Sequence, residues 1–397
     1  MSGALRLFVI AGEPSGDLLG GALLAGLREL CDLAPRLEGV GGPAMAAEGL
    51  ASRFPMQELS IMGLAEVLPR APSLLRRIRE TADAVVAAAP DALITIDSPD
   101  FCLRVARRAR RQLPGLKVIH YVAPSVWAWR PGRAAKMARV VDHVLALLPF
   151  EPPYMQAAGM TCDFVGHPVA GERQATPGEV AALRAEFGIA AGQPLLVLLP
   201  GSRRGEIARI GPAFADVMRR LRAERPDLAV LLPAAGAVAE ALPALFPPDA
   251  AGWPRLLDPR GRPAPEAEAR KRAAFAAADV ALAASGTVSL ELAAAGAPMV
   301  IAYKANPLTE WMIRRLVRVD TATLVNLVTE TRAVPEFFFD DFTPELIAPA
   351  VGALLDDPAA AAAQRAVGQR AMDLLGRGGE PPGLRAARSV LEAIGRR

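Results

Sequence analysis

Carboxylates, a hydroxyl and glycines cluster in the turn that follows the first apolar run of the chain. Residues 5–11 are apolar apart from Arg6, and Glu13, Ser15, Gly16 and Asp17 follow at once, before apolar residues recur at helical spacing. Strand-to-helix turns of this kind lie at the edge where parallel α/β sheets bind ligands. A well-capped helix, with Ser15 as the N-cap and Asp17 at the positive end, explains the same residues. Both interpretations stay open at this point.

A second polar turn follows the apolar run at residues 92–97. The stretch IDSPDF ends this run with Asp97 and continues with Asp100. Asp100 is explained as the cap of the helix that we expect from Phe101 onward. Asp97 has no such explanation and lies where a parallel sheet meets its ligand, so we predict that it is a general base.

Aromatic residues mark a third loop, in the stretch YVAPSVWAWRPGR. Trp127 and Trp129 stand two residues apart after another predicted strand. Such a pair is either a plug of the hydrophobic core or a surface that contacts sugars and acyl chains.

The second half of the chain carries a turn suited to a diphosphate. The apolar stretch LLVLL is followed by Pro200, Gly201, Ser202 and Arg203. Small residues let backbone N–H groups approach phosphate oxygens, and a guanidinium binds such oxygens in pairs. An arginine that is merely solvated at the surface is the alternative.

A further turn, SGT, predicts a nucleotide site in the same half. Ser285, Gly286 and Thr287 follow an apolar run and begin a predicted helix, whose first N–H groups and dipole favour anions. Glu291 lies one turn later on the same face, where it can accept hydrogen bonds from ribose hydroxyls. A helix cap with a solvent-facing glutamate is the alternative.

Apolar runs alternate with helical patterns along the whole chain, which predicts two doubly wound Rossmann-like α/β domains that face a central cleft. The predicted domains span residues 1–169 and 170–375. We expect a C-terminal helix in residues 376–397 to pack on the first domain or on a partner subunit. The predicted strands are residues 5–11, 37–40, 92–97, 117–123, 143–148, 162–165, 194–199, 228–232, 279–284 and 298–303.

The composition limits the classes of partner and compartment. A net charge of +3 with an isoelectric point near 8.9 is too weakly basic to predict nucleic-acid binding. Three scattered cysteines argue against a disulfide framework and favour the cytoplasm. Three scattered histidines and the lack of an Asp-x-Asp motif predict no metal site and no metal cofactor. No apolar run approaches the ~18 residues of a membrane span.

Seven motifs, in this order along nearly the full chain, resemble the lipid-A-disaccharide synthase family. One departure is Val325, where the family pattern has proline before Asn326. The motifs are AGEPSGD (11–17), IDSPDF (96–101), YVAPSVWAWRPGR (121–133), GHP (166–168), LPGSRRGEI (199–207), SGTVSLE (285–291) and NLVTETRAVPEF (326–337).

The resemblance implies a fold of the glycosyltransferase B type and an inverting transfer. The donor is UDP-2,3-diacylglucosamine, the acceptor is 2,3-diacylglucosamine 1-phosphate (lipid X), and the products are the β-1,6 lipid A disaccharide 1-phosphate and UDP. Asp97 or Glu13 is then the base, and Arg203 stabilises the departing UDP without a metal. The implied donor-binding residues are Gly201, Ser202, Arg203, Ser285, Gly286, Thr287, Glu291 and Asn326. The implied acceptor-binding residues are Ser15, Gly16, Asp17 and Trp127.

Between Leu64 and Ile78, apolar residues stand beside basic ones, a pairing that predicts contact with an anionic membrane. Pro69 and Pro72 favour a broken pair of exposed helices over one long core helix. An ordinary amphipathic helix packed on its own sheet is the alternative, and residues 311–319 are a second candidate. The predicted contacts are Leu64, Val67, Leu68, Leu74, Leu75 and Ile78.

Acylated substrates imply an enzyme that is cytoplasmic and peripheral on the inner face of the membrane. A homodimer is a further expectation. Two other functions fit the same scaffold: a UDP-GlcNAc 2-epimerase and a non-catalytic module that binds nucleotide or lipid.

Overall fold

The computed structural model describes residues 4–59, 64–129, 132–316 and 319–396, and it divides the chain into two compact units. The first unit contains residues 1–171 and 378–397, and the second contains residues 172–377. Each unit has a parallel sheet of six strands with helices between successive strands. The predicted fold class, two doubly wound α/β domains, is therefore confirmed.

The strands of the first unit are β1 Arg6–Ala11, β2 Arg36–Val40, β3 Ala92–Ile96, β4 Val118–Tyr121, β5 His143–Ala146 and β6 Thr161–Phe164. Their order in the sheet is β2-β1-β3-β4-β5-β6. The central strands are mostly apolar, as expected where helices cover both faces of a parallel sheet. All five residues of β3 are buried. β1 and β3 are neighbours, with Ala11 opposite Ile96, so the turns that follow them share one edge.

The helices of this part are α1 Pro14–Leu30, α2 Pro43–Ala47, α3 Leu64–Ala88, α4 Pro99–Gln112, α5 Gly132–Met137, α6 Pro152–Gln156 and α7 Pro168–Gly171. α3 is one continuous helix, so the predicted broken pair of helices is wrong. Both Pro69 and Pro72 lie within this helix. Ile78 is only 6% exposed and packs in the core, so its predicted membrane contact is wrong.

The remaining residues of the predicted membrane stretch differ among themselves. Leu74 is partly buried against the core, whereas Leu75 is exposed. The side chains of Leu64, Val67 and Leu68 lie outside the described residues.

The strands of the second unit are β7 Leu195–Leu199, β8 Ala229–Pro233, β9 Arg255–Leu257, β10 Val280–Ala283, β11 Met299–Tyr303 and β12 Glu336–Phe338. Their order is β12-β11-β10-β7-β8-β9. β7 and β10 are neighbours, with Leu199 opposite Ala283. The sequence predicts the four longer strands but neither β9 nor β12, because runs of three residues carry too little periodic signal.

The helices of the second unit are α8 Pro177–Glu186, α9 Arg204–Glu224, α10 Leu242–Leu245, α11 Ala264–Ala277, α12 Val288–Ala294, α13 Pro307–Leu316, α14 Leu324–Thr329, α15 Pro344–Asp356 and α16 Pro358–Leu374. Asp357 caps α16 by accepting from the N–H groups of Ala359 and Ala360. In the described part of the chain, no single helix has the length and apolarity of a bilayer span. Only α15 and α16 together, bent by 95°, meet those criteria.

The chain then returns to the first unit in α17 Pro382–Ala393, which packs against α1. The two helices approach closely at glycines: a Cβ at Gly26 would lie 2.7 Å from the carbonyl oxygen of Gly383. Ser389 adds a polar contact, since its Oγ lies 2.7 Å from Nε2 of His143 and 2.6 Å from Oδ2 of Asp163. The C-terminal helix is thus an integral part of the first unit.

Candidate active site

The turn between β1 and α1 positions Glu13 at the edge of the first sheet. Glu13 is the N-cap residue of α1 and Pro14 follows as its first helical residue, so the predicted cap at Ser15 is wrong. A Cβ at Gly12 would collide with the side chain of Ser98. Glycine at this position therefore lets the turn that contains Glu13 lie against the turn that contains Asp97.

Asp97 is held in a strained backbone conformation directly after β3. Asp97 and Ser98 have φ angles of +51° and +42°, in the left-handed region that costs most residues of order 1–3 kcal/mol. Aspartate tolerates this region better than most residues. The N–H of Asp97 donates to the carbonyl of Tyr121, and its side chain is half-buried. The fold thus presents this carboxylate at the edge of the sheet.

Three of the four residues predicted to bind an acceptor, Ser15, Gly16 and Asp17, have different environments. Ser15 is exposed, whereas Gly16 is buried, and a Cβ there would make ordinary van der Waals contacts with Ala11 and Ile96 at 3.5 Å. Asp17 is 4% exposed, and its carboxylate accepts from the N–H groups of Gly42, Ala44 and Met45 at 2.7, 2.9 and 3.1 Å. The side chain of Asp17 therefore caps α2, and its contact with an acceptor stays a prediction.

The tryptophan loop leads to a carboxyl group that the motifs did not indicate. Trp127 is half-buried and packs edge-on against Phe150, with ring centroids 5.3 Å apart. The neighbouring Glu151 is 4% exposed and accepts from the N–H groups of Leu147 and Leu148. Burial raises the pKa of Glu151 to about 7, although these N–H groups and the Trp127 indole oppose the shift. The position of Glu151 shortly after β5 is the sequence signal that could have indicated this carboxyl group.

In the second unit, the PGSR turn follows β7 and is closed by a carboxylate of α9. Gly201 has φ +122°, and a Cβ there would lie 2.5 Å from Oε2 of Glu206. The same oxygen accepts from the N–H of Ser202 at 3.0 Å. Ser202 and Arg203 are exposed, and Arg203 is the N-cap residue of α9. Glycine is required here because the capping carboxylate occupies the space of a side chain.

A tyrosine at the end of β11 adds to the charged surroundings of this turn. Tyr303 is partly buried, and burial together with Glu206 raises its pKa, while Arg209 and Arg203 act in the opposite direction. Two arginines thus act on one aromatic hydroxyl beside the predicted diphosphate turn. The sequence analysis missed both Arg209 and Tyr303, since their proximity depends on packing between α9 and β11.

The SGT turn follows β10, and its position beside β7 brings both turns to one edge of the second sheet. Thr287 is the N-cap residue of α12, as the predicted helix start requires. Gly286 has φ +158°, with open space where a Cβ would be. Gly286 and Thr287 are exposed, and Ser285 is half-buried. Glu291 lies one turn into the helix and forms an ion pair with Lys271 at 2.9 Å.

The side chain of Asn326, a predicted donor-binding residue, is fully enclosed. The side-chain amide donates to the carbonyl of Val334 at 2.9 Å and to Oγ1 of Thr321 at 3.3 Å. Its oxygen accepts from the N–H of Val334 at 3.0 Å, and the residue is 0% exposed. Asn326 therefore ties α14 to the loop before β12, and its contact with a donor stays a prediction.

The second membrane candidate, residues 311–319, is described only in part. Trp311 is exposed, and the guanidinium of Arg315 lies 4.3 Å from the centre of its ring. Residues 317–318 and several side chains of this stretch lie outside the described part.

The described ranges contain no group of three or more histidine, cysteine, aspartate or glutamate side chains placed to hold a metal ion. Whether the reaction depends on a metal is a separate question, and metal independence stays a prediction.

Comparison with known proteins decides the family. The family model for lipid-A-disaccharide synthetase matches residues 7–380. The lipid-A-disaccharide synthase of Ruegeria pomeroyi is 60% identical over 390 residues, which cover 98% of this chain and 96% of that protein. That of Rhodospirillum centenum is 47% identical over 397 residues, covering 99% and 96%. This chain belongs to the lipid-A-disaccharide synthase family. The predicted resemblance and the predicted enzyme class, a glycosyltransferase, are thereby confirmed.

Solved structures confirm the expected fold type of this lipid-A-disaccharide synthase family member. The UDP-GlcNAc 2-epimerase of Neisseria meningitidis, solved with UDP-GlcNAc, matches with a TM-score of 0.62 at 12% identity, covering 98% of this chain and 99% of that one. The calicheamicin glycosyltransferase CalG4 matches with a TM-score of 0.56 at 17% identity, covering 99% of both chains. At such identities the likeness concerns the fold alone.

Proposed function

We propose that the chain transfers a diacylglucosaminyl group from UDP-2,3-diacylglucosamine to the 6-hydroxyl of 2,3-diacylglucosamine 1-phosphate. The acceptor oxygen attacks C1 of the donor sugar, the bond from C1 to the diphosphate oxygen breaks, and UDP leaves with the bonding electrons. A carboxylate takes the proton of the hydroxyl. Attack opposite the leaving group inverts the anomeric centre and gives the β-1,6 disaccharide 1-phosphate. The observation that carries the proposal is the 60% identity to a lipid-A-disaccharide synthase over 98% of the chain.

The second unit binds the donor through the two turns on its shared edge. Backbone N–H groups around Gly286 bind the diphosphate, and the guanidinium of Arg203 offsets the charge that develops on departing UDP. Exposure of Ser202, Arg203, Gly286 and Thr287 supports this assignment, because a ligand can reach all four. The carboxylate of Glu291 accepts from the ribose hydroxyls.

The first unit supplies the base and the acceptor site. Asp97 is the first choice for the base, since a strained backbone presents its carboxylate at the sheet edge. Glu13 is the second choice, because Gly12 brings its turn against that of Asp97. Ser15, which is exposed, and Trp127, which is half-buried, are the candidates for acceptor contact.

A UDP-release assay tests the reaction. Purified protein receives UDP-2,3-diacylglucosamine with or without lipid X, and UDP and disaccharide are measured together. The proposal requires UDP release that depends on the acceptor and equals the disaccharide formed. Interconversion of UDP-sugars without acceptor would instead indicate an epimerase, and nucleotide binding without either reaction a binding module.

The enzyme meets its acylated substrates at the inner face of the cytoplasmic membrane, as a peripheral protein. α3 supports this by exposing Leu75 next to Arg76, an apolar and a basic side chain of the kind that anionic surfaces attract. Leu75→Ser should reduce flotation with phosphatidylglycerol vesicles several-fold. Leu346→Ser is the matched control, since Leu346 of α15 is equally exposed at 47%. Equal flotation of both variants and the parent would contradict the role of α3.

Assembly into a homodimer stays a prediction, which analytical ultracentrifugation tests.

A further inference from the structure

Lys271 of α11 joins two glutamates of the second unit. Its Nζ lies 2.9 Å from Oε2 of Glu291 on α12 and 2.9 Å from Oε2 of Glu268 on its own helix. The contact with Glu268 is a local one, three residues back along α11. The contact with Glu291 joins two helices, because Glu291 follows Lys271 by 20 residues and lies on α12. This contact restrains the side chain of Glu291.

The carboxyl groups around Lys271 favour its charged form. Burial alone would lower the pKa of Lys271, but Glu291 and Glu268 outweigh this effect and raise its pKa above the ordinary value. Glu172 is a third carboxyl group in the same surroundings: burial and Glu291 raise its pKa, whereas Lys271 and Arg272 lower it. Without Lys271, these carboxylates would repel one another and Glu291 would lose the cation that holds it.

The geometry leaves one side of the Glu291 carboxylate available. Lys271 pairs with Oε2, so its contact occupies only one of the two carboxylate oxygens. The side chain of Glu291 remains 29% exposed, one turn beyond the exposed Thr287. A carboxylate held in this way is preorganised to accept from a vicinal diol.

We propose that Lys271 is a positioning residue that holds Glu291 for the ribose hydroxyls of a nucleoside diphosphate. The inference rests on the proposed function, in which Glu291 contacts the ribose of UDP. Lys271 itself need not touch the ligand. Because both side chains are about one-third exposed, their ion pair contributes little to stability, and its main effect is on the orientation of Glu291.

Calorimetry with two nucleotides distinguishes a positioning role of Lys271 from a purely structural role. UDP and 2′,3′-dideoxy-UDP are titrated into the full chain, its Lys271→Met and Glu291→Gln variants, and the double variant. We expect Lys271→Met to weaken UDP roughly 10-fold and to leave dideoxy-UDP unchanged, because the lost hydrogen bonds involve only the hydroxyls. In the Glu291→Gln background the same substitution should have no further effect. Lys271→Arg should restore most of the preference for UDP.

Arg270→Met is the matched control. Arg270 lies on the same helix but pairs with Glu186, at 2.6 Å, so its loss should leave the ratio of the two affinities unchanged. If Lys271→Met weakens both nucleotides equally, or acts fully in the Glu291→Gln background, Lys271 is only structural and the proposal is overturned. If Glu291→Gln itself leaves the ratio unchanged, the ribose role in the proposed function fails first. Should Lys271→Met not fold, Lys271→Gln takes its place with the same expectations.

Discussion

The two units share one architecture and differ in the charge of their ligand edges. In each, turns after two neighbouring parallel strands lie side by side, after β1 and β3 in the first unit and after β7 and β10 in the second. The first edge carries Glu13 and the strained Asp97. The second carries Arg203 and open glycine turns, and its carboxylate Glu291 is neutralised by Lys271. Under the proposed function, the same topology serves proton removal on one edge and anion binding on the other.

The largest effect should come from the acidic edge. Asp97→Asn keeps a residue that tolerates the left-handed conformation but removes the base, so kcat should fall at least roughly 10²-fold while UDP still binds. Steady-state kinetics and UDP calorimetry on the same preparation measure both quantities.

Asp100→Asn, in the first turn of α4 and exposed, is the matched control and should retain normal turnover. Normal turnover of Asp97→Asn, together with inactivity of Glu13→Gln, would transfer the role of base to Glu13. The assignment of Asp97 would then be wrong.

The basic edge should respond in binding. Arg203→Ala should weaken UDP roughly 30- to 100-fold, because charge-assisted hydrogen bonds to the diphosphate are lost. Arg204→Ala, next in the chain and also exposed, should have a much smaller effect.

If protein groups replace a metal at the leaving group, turnover should survive saturating EDTA. Loss of activity in EDTA that Mg²⁺ restores would contradict this part of the comparison.

The edges themselves could be predicted from the sequence, since their signals are local. A buried strand such as β3 is a continuous apolar run, and a polar turn that follows it falls at the ligand edge in any doubly wound sheet. The helix start at Thr287 and the position of Arg203 at the PGSR turn follow from neighbouring residues in the same way. Short strands such as β9 carry no comparable signal.

The roles of individual polar side chains were less predictable, because their partners are distant in sequence. Asp17 caps a helix that begins 26 residues later, and Asn326 is enclosed by a loop that returns at Val334. Both stand in motifs that resemble the family, and a motif does not distinguish a residue that touches the ligand from one that holds the loop. The burial of Glu151 likewise follows from tertiary packing alone.

The smallest expected effect concerns the protonation of Glu151 near neutral pH and its influence on stability. Because the pKa of Glu151 is raised to about 7 in the folded chain, the folded state binds more protons than the unfolded state between about pH 4.5 and 7. Stability from this group is therefore fully present below the unfolded pKa and is lost as the pH rises through about 7. Glu151→Gln removes the titration, so its unfolding free energy should fall roughly 2 kcal/mol less than the parent's between pH 5 and 8. Urea denaturation at both pH values measures this difference, with the exposed Glu29→Gln as control. Identical pH dependence in parent and Glu151→Gln would mean that Glu151 is ionised throughout, and the first edge would then carry a further buried negative charge.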